Sequence, residues 1–355
     1  MNKKFISAIL AGMCSTAALA QSVTISGLLD AYAGSVQPSG SKRVTAVNSS
    51  GMSSSWWGID GSENLGGGLK AEFKLAGYLR TDTGASGRFN GNETLFSRNA
   101  FVGLSGDFGT VRLGRDGAPN FLPTALFNAF GDSFTFSPII LHADVPLYNG
   151  TGWDSVNAGD TGWSNQIRYT TPNFSGLTGN LHYQFGEQAS GGGHGNAGAS
   201  FLYFHGRYGL GGFLHRVRVD NPLAGPPGNI KLGFPRQDAW MLSAKAGFGP
   251  ANLYANYQQA KNGHDPATPA SATSKTWSVS GDWAAGQGKL LAAFASTRWS
   301  GPPPMALDGS RRATLSLGYD HNLSRRSDIY LVYMSDKITR ADHGDSFAIG
   351  LRHRY

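Results

Sequence analysis

The chain has 355 residues, with 30 Lys and Arg against 23 Asp and Glu for a formal charge of +7. Glycine is abundant at 50 residues, charged residues make up only 15%, and the single cysteine excludes a disulfide scaffold and a thiolate zinc site. The basic excess is spread along the chain, with no polybasic tract and no basic cluster interleaved with aromatics to serve a nucleic acid.

Residues 1–20 read MNKKFISAILAGMCSTAALA. Lys3 and Lys4 form a positive start, Phe5 to Met13 a short apolar core, and Ala18-Leu19-Ala20 a small-residue cleavage site before Gln21. This pattern predicts a cleaved secretory leader, too short and wrongly flanked for a membrane helix. Cys14 lies inside it, and Met13 in front of Cys14 does not fit a lipoprotein signal. Loss of Lys3 and Lys4 takes the formal charge from +7 to +5 and leaves residues 21–355 as one cysteine-free domain. No apolar run in that domain approaches the ~20 residues of a spanning helix.

Period-two segments follow along the chain. Leu69, Ala71, Phe73 and Leu75 oppose Lys70, Glu72 and Lys74; Ile167 and Tyr169 oppose Gln166 and Arg168. The alternation continues through Leu181–Phe185, Leu253–Tyr257, Trp277–Trp283 and Leu315–Tyr319. It fits strands and not helices. Short glycine-rich turns are expected at Asn64–Gly68, Gly106–Thr110, Asn173–Leu177, Tyr208–Gly212, Gly247–Ala251, Ala285–Lys289 and Asn322–Arg326. Longer polar connections are expected near 34–52, 81–95, 116–162, 189–198, 221–237, 261–273, 300–310 and 338–344. Alternating short and long connections predict an all-β, 16-stranded antiparallel transmembrane barrel.

The 116–162 connection is far longer than the others, and such loops usually have a function. Pro123 to Phe130, followed by Gly131, reads as a short helical turn. Phe121, Leu126, Phe127, Phe130, Phe134, Phe136, Ile139 and Ile140 make the loop too apolar to stand in water, so it is expected to fold into the barrel. The chain closes on DSFAIGLRHRY, where Phe347, Ile349, Leu351, His353 and Tyr355 share one face. That length suits a tilted membrane strand of about 9–11 residues. Tyr78, Trp240, Trp277, Trp299, Tyr330 and Tyr355 stand near strand ends, where interfacial aromatic girdles lie.

Several stretches resemble Gram-negative general porins, especially the β-proteobacterial ones. They are QSVTISGLLDA (21–31), WGIDGSENLGGGLK (57–70), LFSRNAFVGLSGDFGTVRLGR (95–115), NQIRYTTPNFSGL (165–177) and the terminal strand. The resemblance implies an outer-membrane channel for small hydrophilic solutes and ions, assembled as a homotrimer, with the third outer loop as a constriction. It further implies contact with outer-membrane lipid and lipopolysaccharide, insertion by the barrel-assembly machinery, no cofactor and no enzymatic activity. Tyr355 would carry the assembly signal. Alternatives are a solute-specific channel, a barrel-borne enzyme or an exported β-rich adhesin. No H-E-x-x-H, G-x-S-x-G or P-loop motif favours an enzyme.

In such porins a basic wall faces an acidic loop. Arg98 occupies a matching wall position, but Trp56 stands where the family has an arginine before W-G, and a third arginine position falls on Gly162 or Trp163. Lys70, Lys74, Arg80, Arg112 and Arg168 lie on alternating polar faces and are expected to complete the wall. Asp116, Asp132 and Asp144 are the expected acidic partners in the loop. Their balance predicts a weak anion preference.

Overall fold

The computed structural model describes residues 22–88, 93–143, 161–186, 195–218, 236–265, 268–301 and 309–355; the expected leader lies outside them. The strands are β1 (Ser22–Val36), β2 (Val44–Ser49), β3 (Trp56–Gly66), β4 (Leu69–Tyr78), β5 (Asn99–Gly106) and β6 (Gly109–Gly117). After two short helices come β7 (Gly162–Thr170), β8 (Leu177–Gln184), β9 (Asn196–His205), β10 (Tyr208–Val217), β11 (Gln237–Phe248) and β12 (Ala251–Asp265). β13 (Thr268–Ala285), β14 (Gly288–Ser300), β15 (Arg311–Asn322), β16 (Ser327–Ile338) and β17 (Gly344–Arg354) complete the sheet. The helices are α1 (Phe121–Leu126) and α2 (Pro138–Ala143).

Sequential strands from β3 onward pair antiparallel, and β1 closes the sheet on β17 from Leu28↔Arg354 to Ser35↔Phe347. β2 and β3 are two parts of one stave. β2 pairs with residues 31–36 of β1 and β3 with residues 22–28, so the barrel has the expected sixteen staves. Between those two parts, residues 51–55 are buried. Closure gives both terminal strands backbone partners, which a lipid environment demands.

The burial pattern is reversed relative to a soluble protein. Leu253, Val279, Leu317, Ile349 and Leu351 are exposed, while Asn256, Gln258, Ser278, Ser316 and Asp320 on the opposite faces are buried. Such an outer face suits lipid, where a charge at the midplane costs about 2–4 kcal/mol. Face also corrects the aromatic expectation. Trp240, Trp277 and Tyr355 point outward, but Tyr78, Trp299 and Tyr330 are buried on the inner face.

Four boundaries differ from expectation. Tyr208–Gly212 is not a turn but the start of β10; the chain turns at Gly206 and Arg207. Its glycines serve packing, since a Cβ on Gly211 would lie 2.5 Å from the Phe127 ring. The connection expected at 261–273 is largely strand, taken up by the long β12–β13 hairpin, and the one expected at 34–52 contains β2. The helix expected over 123–130 is α1, which begins two residues earlier and ends at Leu126.

Candidate pore constriction

The segment following β6 crosses to the opposite wall. α1 touches β9, β10 and β11, and α2 touches β13, β14 and β15. Phe130, Phe136, Ile140 and Leu141 pack with Tyr32, Leu291, Ala293, Tyr330, Val332 and Met334, which project from the inner faces of β1, β14 and β16. Apolar side chains alone would leave the loop backbone unsatisfied, and the wall supplies its partners. Asn256 Nδ2 donates to the Phe127 carbonyl at 2.9 Å, Ser316 Oγ to that of Phe136 at 2.7 Å, and Arg312 to that of Leu141 at 2.9 Å. Arg312 is itself held by Asp336 at 2.9 and 3.1 Å. Within the loop, Asn128 donates to the Thr124 and Gly131 carbonyls and accepts from Phe130 N and Ser137 Oγ.

His142, in the last turn of α2, lies in a buried site between two hydroxyls. Its Nδ1 lies 2.8 Å from Thr297 Oγ1 and its Nε2 2.8 Å from Thr314 Oγ1. Burial holds its pKa well below the ordinary value, the Arg312 charge pushes it the same way, and Asp336 opposes both. A second clamp is built on Asp30. Its carboxylate accepts N–H bonds from Gly51, Met52 and Ser53 at 2.8 to 3.0 Å and the Tyr330 hydroxyl at 2.6 Å. The turn so fixed accepts Ser133 Oγ on the Gly51 carbonyl and Thr135 Oγ1 on that of Ser50.

The charged wall lies on β3 to β7. Lys74 sits 3.5 Å from Asp60. Arg112 contacts Glu72 at 2.7 Å and Asp116 at 3.1 Å, and Arg168 reaches the same Asp116 oxygen at 3.0 Å. Asp116 is therefore not a loop acid. It belongs to β6 beside a register shift between Gly114 and Asp116, and it neutralises the wall it was expected to face. Arg80 has left the polar face of β4, which ends at Tyr78, and pairs with Asp82 at 3.0 Å. Lys70 is exposed and, among the described residues, has no carboxylate partner.

Arg98 precedes β5 and also has no carboxylate partner among the described residues. It donates to Asn99 Oδ1 at 3.0 Å, and its guanidinium lies 4.2 Å from the Trp56 ring centroid. Lys74 Nζ is 5.3 Å from the same ring. The tryptophan standing in an arginine position thus gathers two cations by attraction to its π face; Lys74 also has Asp60, while the charge of Arg98 meets no carboxylate among the described residues. Asp132 on the loop is half-buried, with no cationic partner among the described residues. Asp144 lies outside the described residues.

These features have counterparts in known proteins. The sequence matches the family described as Gram-negative porin over residues 7–341. The chain belongs to that family. It is 32% identical to outer membrane porin protein 32 of Delftia acidovorans, across 94% of this chain and 90% of the relative. Its fold superposes on the anion-selective porin from Comamonas acidovorans with a TM-score of 0.75 at 24% identity, covering 95% and 100% of the two chains. A trimer form of Vibrio cholerae OmpT superposes at 0.66 with 16% identity, over 95% and 100% of the chains. This porin is an outer-membrane channel protein for small solutes, and not an enzyme.

Asp30, Asp60, Glu72, His142 and the Arg312–Asp336 pair were not singled out from sequence. Alternation put Glu72 on a polar face, but pairing across strands needs the register. Asp30 and His142 carry no motif; their roles arise from a turn and a loop meeting strands remote in the chain.

Proposed function

We propose that this porin conducts small hydrophilic solutes passively through a pore narrowed by the loop between β6 and β7, with a weak preference for anions. The observation carrying this reading is the unequal cancellation of charge. Lys74, Arg112 and Arg168 sit beside Asp60, Glu72 and Asp116, whereas Arg98 and Lys70 have no carboxylate among the described residues. Asp132 opposes them only in part. Inside a narrow aqueous channel walled by low dielectric, even one uncancelled charge biases ion entry. The name of the Comamonas relative, an anion-selective porin, agrees in sign.

The same reading takes residues 1–20 as a cleaved leader and residues 21–355 as one barrel domain. It makes the working unit a homotrimer, in contact with outer-leaflet lipid and lipopolysaccharide and inserted by the barrel-assembly machinery through Tyr355. Tyr355 joins the barrel seam, exchanging backbone hydrogen bonds with Gly27 at 3.1 and 3.2 Å. The test is reversal potential across a planar bilayer in a potassium chloride gradient. A small potential of anion-preferring sign is expected, and a cation-preferring one would contradict the proposal.

A further inference from the structure

We infer that the outer face of β13, β14 and β15 holds a binding site for the phosphate groups of an outer-leaflet glycolipid. Lys275 lies directly opposite Arg298, and Arg298 directly opposite Arg311. All three are exposed and share the outward face with Trp277, Phe294 and Leu315. Like charges directly opposite on a sheet repel and destabilise it. Among the described residues none of the three has a carboxylate within ion-pair distance. The neighbouring staves show the contrast: Arg216 pairs with Asp238 at 2.7 Å, and Asp238 is also opposite Lys261. On the other flank Lys337, opposite Ala313, stands diagonal to Arg311, its Nζ bonded only to the Ala341 carbonyl among the described residues. Arg311 leans across onto β14, where its Nε donates to Ser296 Oγ at 3.0 Å.

The cations border an apolar band. The Trp277 and Phe294 rings lie 5.3 Å apart, and those of Trp240 and Tyr257 5.5 Å apart. Cations beside exposed aromatics fit an amphiphile with an anionic head and apolar tails, and a free anion has no use for the band. The row stands at the strand ends away from the short turns at 249–250, 286–287 and 323–326, which is the outer side of such barrels. A doubly charged phosphate has several acceptor oxygens and can bridge adjacent guanidinium and ammonium groups. A glycolipid phosphate seated there turns the cross-strand repulsion into attraction. This site deepens the lipopolysaccharide contact proposed above and rests on it.

The test uses the folded mature chain in detergent with EDTA present, and native mass spectrometry to count bound lipid. The probes are bisphosphorylated lipid A and the same lipid dephosphorylated. The wild type is expected to bind the phosphorylated form at least tenfold more tightly. Lys275→Gln combined with Arg298→Gln and Arg311→Gln, checked for folding by heat-modifiable gel mobility, is expected to abolish that difference. A wild type that binds both lipids equally would overturn the site without any variant. A folded variant that keeps the preference would overturn the site while leaving glycolipid contact elsewhere on the porin intact. Failure of the wild type to bind either lipid would overturn both. Displacement of the lipid by an equal concentration of inorganic phosphate would make the row a simple anion site and contradict the lipid assignment.

Discussion

Trp56 shows how a porin wall can lose an arginine and still present positive charge. Arg98 and Lys74 gather on its ring, an attraction of about 0.5–1 kcal/mol at exposed sites and more when desolvated. Trp56→Arg adds a wall cation and is expected to move the reversal potential further towards anions; no movement would place Trp56 away from the ion path. Arg98→Glu reverses the charge that the wall leaves uncancelled, so the potential is expected to move towards cations. Asp132→Asn is expected to move it towards anions. Both shifts should shrink at molar salt, where the Debye length is about 3 Å. If neither substitution moves the potential at low salt, Arg98 and Asp132 do not line the filter. The sequence pattern placed Lys70, Lys74, Arg112 and Arg168 on polar faces, but Asp116 was misread as a loop acid. The irregularity at Gly114/Asp116 carries β6 on to Gly117, and its nearest cations are on its own wall.

The loop between β6 and β7 is an element held by clamps of different chemistry. His142 is kept neutral in its buried site, so its folded pKa lies below the unfolded value of about 6.5. For such a group the unfolded state binds more protons in acid. Its contribution to stability is present above about pH 6.5 and is lost as pH falls towards the folded pKa. Acidification below pH 6 is therefore expected to loosen α2 and raise conductance noise, and His142→Gln should flatten that pH dependence. An identical acid response in the variant would assign it to other groups. Gly211→Ala places a methyl 2.5 Å from the Phe127 ring. Overpacking of this kind costs about 1–3 kcal/mol, so the thermal midpoint should fall, while an unchanged midpoint would show that Phe127 moves freely. The apolar residues from Phe121 to Ile140 made the loop's inward preference legible in the sequence. The Asp30 clamp was not, because it joins β1 to the turn after β2, and the 34–52 stretch lacked the clean alternation that would mark β2.

At the scale of the whole molecule, the barrel was legible because period-two alternation sets the polar and lipid faces of nearly every stave without reference to its neighbours. Glycine was the ambiguous signal. At Gly249 and Gly286 it makes turns with positive φ, whereas at Gly209 and Gly211 it thins a strand so that a loop ring can approach. Composition cannot separate these uses, since only the bulk arriving from another element distinguishes them. The same barrel without its loop between β6 and β7 is expected to be a wide, poorly selective pore. The direct measurement is single-channel conductance in a planar bilayer, comparing the wild type with a folded variant lacking Phe121–Phe130. A clearly larger conductance and a weaker ion preference are expected in the variant. Equal conductance and preference in the two proteins would contradict this expectation.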